Sequence, residues 1–347
     1  MIKDILSPQE QAQLQALIEQ SEHIVVCAHV NPDGDAIGST LGWACYLRSL
    51  NKEVTVVVPN QFPDFLRCMP GVETIVRHDK HPEEVEELLR QCDLLCCLDH
   101  NDLKRLEDMQ PLVERCTAPV VMIDHHPFPV LQAQLAVSHP EMSSTCELVF
   151  RLVWQLGGFP SLNRLFAIPI YCGMMTDTGG FTYNSNTPDI FFIVAQLLTK
   201  GIDKDRLYRQ VYHNFSENRL RLMGYVMYQK LQVLEQQHAA FFSITRQEQR
   251  RFQFIKGDAE GLVNMPLQIK GIRLSISLRE DTERDNLILL SLRSVDDFPC
   301  NKMAEQYFNG GGHLNAAGGR LQCTMREAVL LVMKAISEFK PESKQAT

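Results

Sequence analysis

Short apolar runs alternate with amphipathic stretches through the first half of the chain. The runs cover 23–28, 53–58, 94–98 and 120–123, and one amphipathic stretch covers 36–50. Strands that are buried on both faces give continuous apolar runs, whereas a helix that covers a sheet needs only one apolar face. The alternation therefore predicts an α/β fold in which helices flank a parallel sheet.

The second half of the chain has a different pattern. Leu, Phe and Tyr recur at helical spacing from 188 to 236, which predicts a helical connector. Beyond the connector we predict a smaller α/β domain, with strands at 239–244, 272–278 and 287–292, a glycine-rich loop at 310–319 and a helix at 325–339.

The length of 347 residues exceeds what one hydrophobic core usually organises, so two domains are expected. The predicted boundaries are a first domain at 1–187, the connector at 188–236, a second domain at 237–340 and a flexible tail at 341–347.

Charge and composition narrow the classes of ligand and compartment. A formal net charge of -8 argues against affinity for long duplex nucleic acid, because such binding needs many Lys and Arg side chains. A short anionic ligand stays possible if bound divalent cations mask the acidic surplus locally.

The N-terminus lacks the apolar core of a signal peptide and no apolar run would span a bilayer, so we expect a cytoplasmic protein that binds no membrane. The cysteines are expected to be reduced and to pack as small apolar side chains.

The strongest candidate for chemistry follows the first predicted strand and reads His29-Val-Asn-Pro-Asp33-Gly-Asp35. Ligands bind at the carboxyl ends of strands in open α/β sheets, which is where this loop lies. Pro32 and Gly34 stiffen and turn the loop, so that both carboxylates and the imidazole can face one point. The simpler alternative is that Asp35 caps the next helix while its neighbours are solvated.

Two later predicted strands end in the same residue types. The run at 94–98 is followed by Asp99-His100-Asn101, and the run at 120–123 is followed by Asp124-His125-His126. A fourth candidate, Asp177, ends an apolar helical stretch before a glycine turn. Each of these signals, taken alone, is also explained by a turn or a helix cap.

Convergence of these carboxylates would have an electrostatic consequence. Their mutual repulsion would raise their pKa values and destabilise the fold unless cations offset it, and two divalent ions would do so. A ligand set of oxygen and imidazole without thiolate suits Mn²⁺, Mg²⁺, Co²⁺ or Fe²⁺ better than a structural Zn²⁺. Such a pair of ions activates water for in-line attack on phosphorus, so no side-chain nucleophile is needed.

The four segments together resemble the DHH phosphoesterase superfamily, which takes its name from the triplet seen here as Asp124-His125-His126. Three later stretches, 291–294, 301–305 and 310–318, resemble its associated DHHA1 domain. The resemblance extends from about residue 20 to about residue 339. It implies that the first domain is a catalytic DHH domain and that the second is a substrate-binding DHHA1 domain.

The resemblance also implies a role for each candidate residue. Two divalent ions, with Mn²⁺ favoured, would be held by these side chains: His29 and Asp33 on one ion, Asp35, His125 and Asp177 on the other, and Asp99 bridging both. His126 would face the substrate phosphate, and Asp124 would orient an imidazole. Asp99, Asp124 and His126 are therefore the candidate catalytic residues.

In the second domain, the glycine-rich loop is predicted to bind a terminal phosphate. Consecutive amides of Gly310–Gly312 can form an anion-binding nest, to which His313 would add a donor. Arg293 would hold the phosphate through two hydrogen bonds, while roles for Arg273 and Arg279 are left open. A flexible hairpin turn is the simpler alternative for the glycines.

This pair of domains is most similar to the bacterial nanoRNase and pAp phosphatase branch of the superfamily. That branch implies hydrolysis of very short RNA to mononucleotides and removal of the 3′-phosphate from 3′-phosphoadenosine 5′-phosphate (pAp). A phosphodiesterase for linear dinucleotides from cyclic dinucleotide signalling and an exopolyphosphatase stay open as alternatives, and a sensor without catalysis is the alternative from another class. Short RNA oligonucleotides or small phosphorylated nucleotides are the expected partners, and a homodimer is left open.

Overall fold

The computed structural model describes residues 2–255 and 257–340. Two compact units divide the chain between Asn214 and Phe215. The predicted connector at 188–236 spans this division, and the predicted tail at 341–347 lies outside the described residues. The domain boundaries drawn from the sequence therefore stay a prediction.

A parallel sheet covered by helices forms the first unit. Its strands are β1 (His23–Cys27), β2 (Glu53–Val58), β3 (Val76–Arg77), β4 (Leu94–Leu98), β5 (Val120–Asp124) and β6 (Leu135–Ser138). Its α-helices are α1 (Pro8–Gln20), α2 (Gly34–Ser49), α3 (Pro82–Gln91), α4 (Gln110–Glu114), α5 (Thr145–Gln155), α6 (Arg164–Asp177), α7 (Pro188–Leu198) and α8 (Lys204–Tyr212). Short 3₁₀ helices lie at Asp64–Cys68, Val72–Thr74, Leu103–Met109 and Phe159–Ser161. This arrangement confirms the predicted fold class.

The order of the strands creates a place for a site. The strand order is β3-β2-β1-β4-β5-β6. Strands β2 and β3 therefore lie on one side of β1, and β4, β5 and β6 lie on the other side. Such a reversal of direction leaves a crevice at the carboxyl ends of the two central strands, where ligands bind in open α/β sheets. His29 follows β1 and Asp99 follows β4, so both flank that crevice.

Both faces of the sheet are buried, which explains the continuous apolar runs in the sequence. Cys96 of β4 faces the larger core cluster, where Trp43 of α2 packs against the sheet. Cys27 and Cys97 face the opposite cluster, together with Val85 of α3.

Close packing of α2 against α6 depends on glycines of α2. A Cβ atom on Gly38 would lie 2.5 Å from the carbonyl oxygen of Pro169 and 2.9 Å from Cys146 Sγ. On Gly34, a Cβ would lie 2.2 Å from the hydroxyl oxygen of Thr176. The absence of side chains at these positions lets the N-terminal turn of α2 lie beside the C-terminal turn of α6.

The second unit contains a mixed sheet with the strand order β11-β12-β10-β9-β8-β7. Its strands are β7 (Gln232–Leu234), β8 (Ala239–Ile244), β9 (Leu274–Glu280), β10 (Leu287–Ser294), β11 (Gly311–His313) and β12 (Ala316–Gln322). Its α-helices are α9 (Glu217–Tyr225), α10 (Arg246–Arg251), α11 (Cys300–Tyr307) and α12 (Met325–Glu338), with a π-helical turn at Val226–Lys230 and 3₁₀ helices at Glu235–Gln237 and Leu262–Gln268. The pair β8–β9 is parallel and the other pairs are antiparallel.

The glycine-rich stretch at 310–319 is not the loop that we predicted. Residues 311–313 pair with 316–318 as an antiparallel hairpin. A Cβ atom on Gly310 would lie 1.8 Å from the carbonyl oxygen of Gly318. The glycines therefore allow two backbones to approach each other, and the simpler alternative of a hairpin turn accounts for this part of the chain.

Two expectations from composition can be compared with the structure. All the cysteines are free thiols. Within residues 2–255 and 257–340, none of the helices combines the length and the apolar character needed to cross a membrane.

Candidate metal centre

Three strand ends and one helix end bring the predicted side chains together. His29 Nε2 lies 3.3 Å from Asp99 Oδ2. His125 Nε2 lies 3.5 Å from Asp177 Oδ2 and 3.8 Å from carboxylate oxygens of both Asp35 and Asp99. Residues that are more than 140 positions apart in the chain, such as His29 and Asp177, therefore contribute to one cluster of carboxylates and imidazoles.

The loop after β1 separates the roles of its two carboxylates. Asp33 caps α2, because its Oδ1 accepts hydrogen bonds from the backbone N–H groups of Asp35 at 3.0 Å and of Ala36 at 3.1 Å. Asp33 is exposed, whereas Asp35 is buried. The simpler alternative, in which Asp35 is the cap, is therefore wrong, and Asp35 points into the molecule.

The N-terminus of α5 holds the Asp35 carboxylate. The backbone N–H groups of Thr145 and Cys146 donate to its two oxygens at 2.6 Å and 2.9 Å. Burial, together with the negative charges of Asp99 and Asp177, nevertheless raises the pKa of Asp35 well above its usual value. Repulsion of this kind is what a bound cation relieves.

Asp99 has an unusual backbone conformation. Its φ angle is 60°, in the left-handed region that costs a non-glycine residue free energy, and such strain is most common at functional sites. Thr145 Oγ1 donates a hydrogen bond of 2.9 Å to Asp99 Oδ1. Burial acts to raise the pKa of Asp99, but the hydrogen bond from His29 and the neighbouring imidazoles of His126 and His125 outweigh it and lower the pKa.

Backbone carbonyls orient two of the imidazoles. His29 Nδ1 lies 2.8 Å from the carbonyl oxygen of Val30, and His125 Nδ1 lies 3.2 Å from that of Met142. Each carbonyl accepts a hydrogen bond from Nδ1–H, so Nε2 is the ring nitrogen directed towards the carboxylates. This is the support that metal-bound histidines usually have.

Asp124 acts on His126. Its Oδ1 lies 2.7 Å from His126 Nδ1, and its Oδ2 accepts the backbone N–H of the same residue at 3.1 Å. Asp124 is fully buried, whereas 20% of the His126 side chain is exposed. Asp124 therefore orients an imidazole whose other edge is accessible.

The donor atoms form groups that match the ligand sets implied by the resemblance. One group contains His29, Asp33 and Asp99, and another contains Asp35, His125 and Asp177, with the donor atoms of each group within 4.8 Å of one another. Oxygen and imidazole donors suit divalent ions such as Mn²⁺ and Mg²⁺. The residues present therefore fit a pair of divalent ions, while their roles as ligands stay a prediction.

The sequence did not indicate Thr145, although it contacts two of the candidate ligands. The run Ser143-Ser-Thr-Cys-Glu147 does carry a helix-start signal, since Ser144 caps α5 by accepting the N–H of Glu147 at 3.0 Å. That signal locates the start of the helix but not the strand ends against which it packs.

The predicted phosphate-binding residues of the second unit lie on neighbouring strands. Arg293 on β10 and His313 on β11 are both paired with Ala316 of β12, so they lie at the same level of the sheet, and Gly311 and Gly312 precede His313 on its strand. The N–H of Gly310 donates to the carbonyl oxygen of Ala304 at 3.1 Å.

The amide of Gly310 therefore has a backbone partner, and an anion-binding nest at Gly310–Gly312 stays a prediction. The two arginines left open also have other contacts. Arg273 forms an ion pair with Asp297, and the Arg279 guanidinium lies 5.1 Å from the ring centre of Phe254.

Comparison with known proteins identifies the family. Residues 23–174 match the profile of the DHH family, N-terminal domain. A crystal structure of an exopolyphosphatase-related protein from Bacteroides fragilis is 48% identical, covers 98% of this chain and 99% of its own, and superposes with a TM-score of 0.93. This chain belongs to the DHH family.

Two further relatives extend the comparison. The bifunctional oligoribonuclease and PAP phosphatase NrnA of Thermus thermophilus is 28% identical over 316 residues, which are 91% of this chain and 89% of the relative. RecJ of Thermus thermophilus, whose structure was solved in complex with Mn²⁺, is 13% identical with a TM-score of 0.51 over 95% of this chain and 54% of its own, and therefore shares the fold. DHH proteins are phosphoesterases that depend on divalent metals, which agrees with the clustered donors found here.

Proposed function

We propose that this DHH protein uses two divalent ions to hydrolyse very short RNA to mononucleotides and to remove the 3′-phosphate from pAp. One observation carries the proposal. The Asp99 carboxylate has one oxygen 3.3 Å from His29 Nε2 and the other 3.8 Å from His125 Nε2, so a single side chain lies between the two groups of donors. A carboxylate in that position suits a bridge between paired ions.

Different side chains would bind the two ions and the substrate. His29 and Asp33 would hold one ion, and Asp35, His125 and Asp177 would hold the other, with Asp99 shared. When bound, such ions supply a water of lowered pKa and neutralise charge on the phosphoryl oxygens. His126 would donate to the substrate phosphate, because Asp124 fixes its Nδ1 and part of its ring is exposed.

Manganese is the metal that we favour. The ligand set consists of carboxylates and imidazoles, which bind Mn²⁺ readily. Mg²⁺, Co²⁺ and Fe²⁺ also bind such donors, so they are tested as alternatives. RecJ of Thermus thermophilus binds Mn²⁺ in its solved structure.

For the substrate, the proposal rests on the NrnA relative, which matches most of this chain in length. Arg293 and His313 lie at one level of the second sheet and would provide donors for a terminal phosphate. A substrate of a few nucleotides is also compatible with an acidic protein, because it needs local positive charge rather than a long basic groove.

An exopolyphosphatase is the second candidate. The Bacteroides fragilis protein described as exopolyphosphatase-related is 48% identical to this chain over nearly its whole length. The same paired-metal chemistry would cleave a phosphoanhydride, so the metal centre alone does not distinguish the two substrates.

The proposal is tested by parallel hydrolysis assays. A 5′-labelled RNA dinucleotide, pAp, a linear dinucleotide from cyclic dinucleotide signalling and polyphosphate are each incubated with Mn²⁺ or with EDTA. Asp99→Ala is compared with Asp108→Ala, since Asp108 is an exposed residue of the following segment.

We expect manganese-dependent cleavage of the RNA dinucleotide and pAp that disappears in Asp99→Ala and persists in Asp108→Ala. Fast release of phosphate from polyphosphate, with slow turnover of both nucleotide substrates, would establish the second candidate instead. Turnover in EDTA at the rate seen with Mn²⁺ would overturn the paired-metal mechanism.

A further inference from the structure

A second group of side chains that could bind a metal lies on the face of the first sheet that α3 covers. Cys27 of β1 and Cys97 of β4 are paired in register, and their Sγ atoms are 3.7 Å apart. His100 follows β4, and all three residues are 0% exposed. The two Sγ atoms and a ring nitrogen of His100 lie within 4.8 Å of one another.

The orientation of His100 leaves one nitrogen to explain. Its Nδ1 lies 2.8 Å from the carbonyl oxygen of Leu98, which can only accept a hydrogen bond, so Nδ1 carries a hydrogen and, in the neutral imidazole, Nε2 has the lone pair. That Nε2 is buried, and the hydrogen-bonding side chain beside the His100 ring is the Cys97 thiol. A buried imidazole nitrogen beside thiols is a donor set that can share a cation.

The separation of the two sulfur atoms fits coordination. Sulfur ligands at about 2.3 Å from a tetrahedral zinc ion are about 3.8 Å apart, close to the 3.7 Å found here. Two thiolates and a neutral imidazole would neutralise a divalent cation, so that the bound site would carry no net charge in the core. These are three of the four ligands that a tetrahedral Zn²⁺ site requires.

We infer that Cys27, Cys97 and His100 form a binding site for Zn²⁺ or a similar thiophilic divalent cation, distinct from the carboxylate centre. Thiolates select zinc over manganese, so the two sites would take different metals. The inference does not depend on the proposed function. Its structural consequence is a cross-link between β1 and β4 two residues before His29 and Asp99, on the strands that flank the crevice.

Cobalt is the probe, because Co²⁺ bound by thiolate has a charge-transfer absorption in the near ultraviolet that oxygen and imidazole ligands do not produce. The full chain is expressed in medium supplemented with Co²⁺, since the buried site has to be loaded as the protein folds. The purified protein is then washed with EDTA to empty the carboxylate centre. We expect the thiolate–cobalt absorption, with about one cobalt per chain, to survive this wash.

The chain offers a matched control in another pair of thiols. Cys92 and Cys116 also have Sγ atoms 3.7 Å apart, but no histidine belongs to that pair among the described groups of donors. The absorption should be lost in Cys97→Ser and retained in Cys92→Ser/Cys116→Ser. His100→Gln keeps both thiols and should release the cobalt to EDTA, so it provides the test if Cys97→Ser fails to fold.

Two results would overturn the inference. One is wild-type protein that contains no EDTA-resistant cobalt and shows no thiolate absorption, which would mean that the group is a hydrogen-bonded part of the core. The other is an absorption that disappears in Cys92→Ser/Cys116→Ser and persists in His100→Gln, which would mean that Cys92 and Cys116 bind the metal.

Discussion

Thr145 donates its hydroxyl to Asp99 Oδ1 at 2.9 Å and its backbone N–H to Asp35 Oδ2 at 2.6 Å. One residue at the start of α5 therefore positions two carboxylates from different elements, Asp35 in the first turn of α2 and Asp99 directly after β4. Its amide belongs to the positive end of the helix, which favours a carboxylate there. We therefore expect Thr145 to act as a positioning residue for the candidate metal centre.

Replacement of Thr145 by Val should weaken metal binding. Val keeps the shape and the backbone N–H but removes the donor to Asp99, and loss of an outer partner of a ligand typically lowers metal affinity or activity about 10- to 100-fold. The measurement is the Mn²⁺ concentration at half-maximal hydrolysis, together with metal binding by calorimetry. Thr145→Ser retains the hydroxyl and should behave nearly as wild type. Equal Mn²⁺ affinities for Val and wild type would contradict the role.

The strand ends of this site could be predicted from sequence, but Thr145 could not. Asp99 and Asp124 each follow an apolar run, so their positions at the sheet edge are implied by the pattern. Thr145 acts on residues that are 110 and 46 positions away, through packing of α5 against α2 and the sheet. Its local sequence indicates only the start of a helix.

The same distinction applies to the fold. The four central strands are buried on both faces and appear in the sequence as apolar runs, whereas the edge strand β3 has two residues and left no pattern. The glycine-rich stretch was predicted as a phosphate-binding loop, with a hairpin turn as the alternative, for another reason. Its glycines mark close approach of two backbones, and a single sequence does not show what approaches.

Metal removal should destabilise the protein more as the pH rises. Burial and the negative charges of Asp99 and Asp177 raise the pKa of Asp35. Burial acts to lower the pKa of His125, but the negative charges of Asp35 and Asp99 outweigh burial and raise that pKa. A raised pKa stabilises the fold at low pH, and this contribution is lost as the pH rises through the folded-state value. The melting temperature in EDTA should therefore fall between about pH 5 and about pH 8.

Thermal unfolding in EDTA and in Mn²⁺ over this pH range provides the measurement. Bound cations replace the protons, so Mn²⁺ should remove most of the decline. Asp35→Asn cannot ionise and should show a flatter profile in EDTA than wild type. A wild-type melting temperature in EDTA that stays constant or rises over this pH range would be inconsistent with the repulsion argued here.

Asp124→Asn should reduce turnover while leaving metal content unchanged. The amide oxygen can still accept from His126 Nδ1, but the negative charge that fixes this tautomer is lost. We expect kcat for pAp to fall about 10- to 100-fold, with little change in the bound Mn²⁺ measured by elemental analysis. Loss of metal together with activity would show that Asp124 supports the ligands themselves instead of His126.

Arg293→Lys should weaken substrate binding. Lys keeps the charge but loses the fork that can hold a phosphate through two hydrogen bonds. We expect the KM for pAp to rise about tenfold, which corresponds to about 1.4 kcal/mol, while kcat changes little. Arg320→Lys is the matched control, because Arg320 lies on the neighbouring strand β12 and is exposed. An equal effect of the two substitutions would argue against a specific role for Arg293.

Gly38→Ala should destabilise the first unit and disturb the metal centre, although alanine favours helices. The added Cβ would lie 2.5 Å from the Pro169 carbonyl oxygen, so α2 has to move away from α6. Overpacking of this kind costs about 1–3 kcal/mol. Gly224→Ala makes the same change in helix α9, where nothing lies within 4 Å, and should stabilise the second unit by up to about 1 kcal/mol. Calorimetry of the full chain should show shifts of opposite sign, and a stabilised Gly38→Ala would mean that the two helices are not held as closely as described.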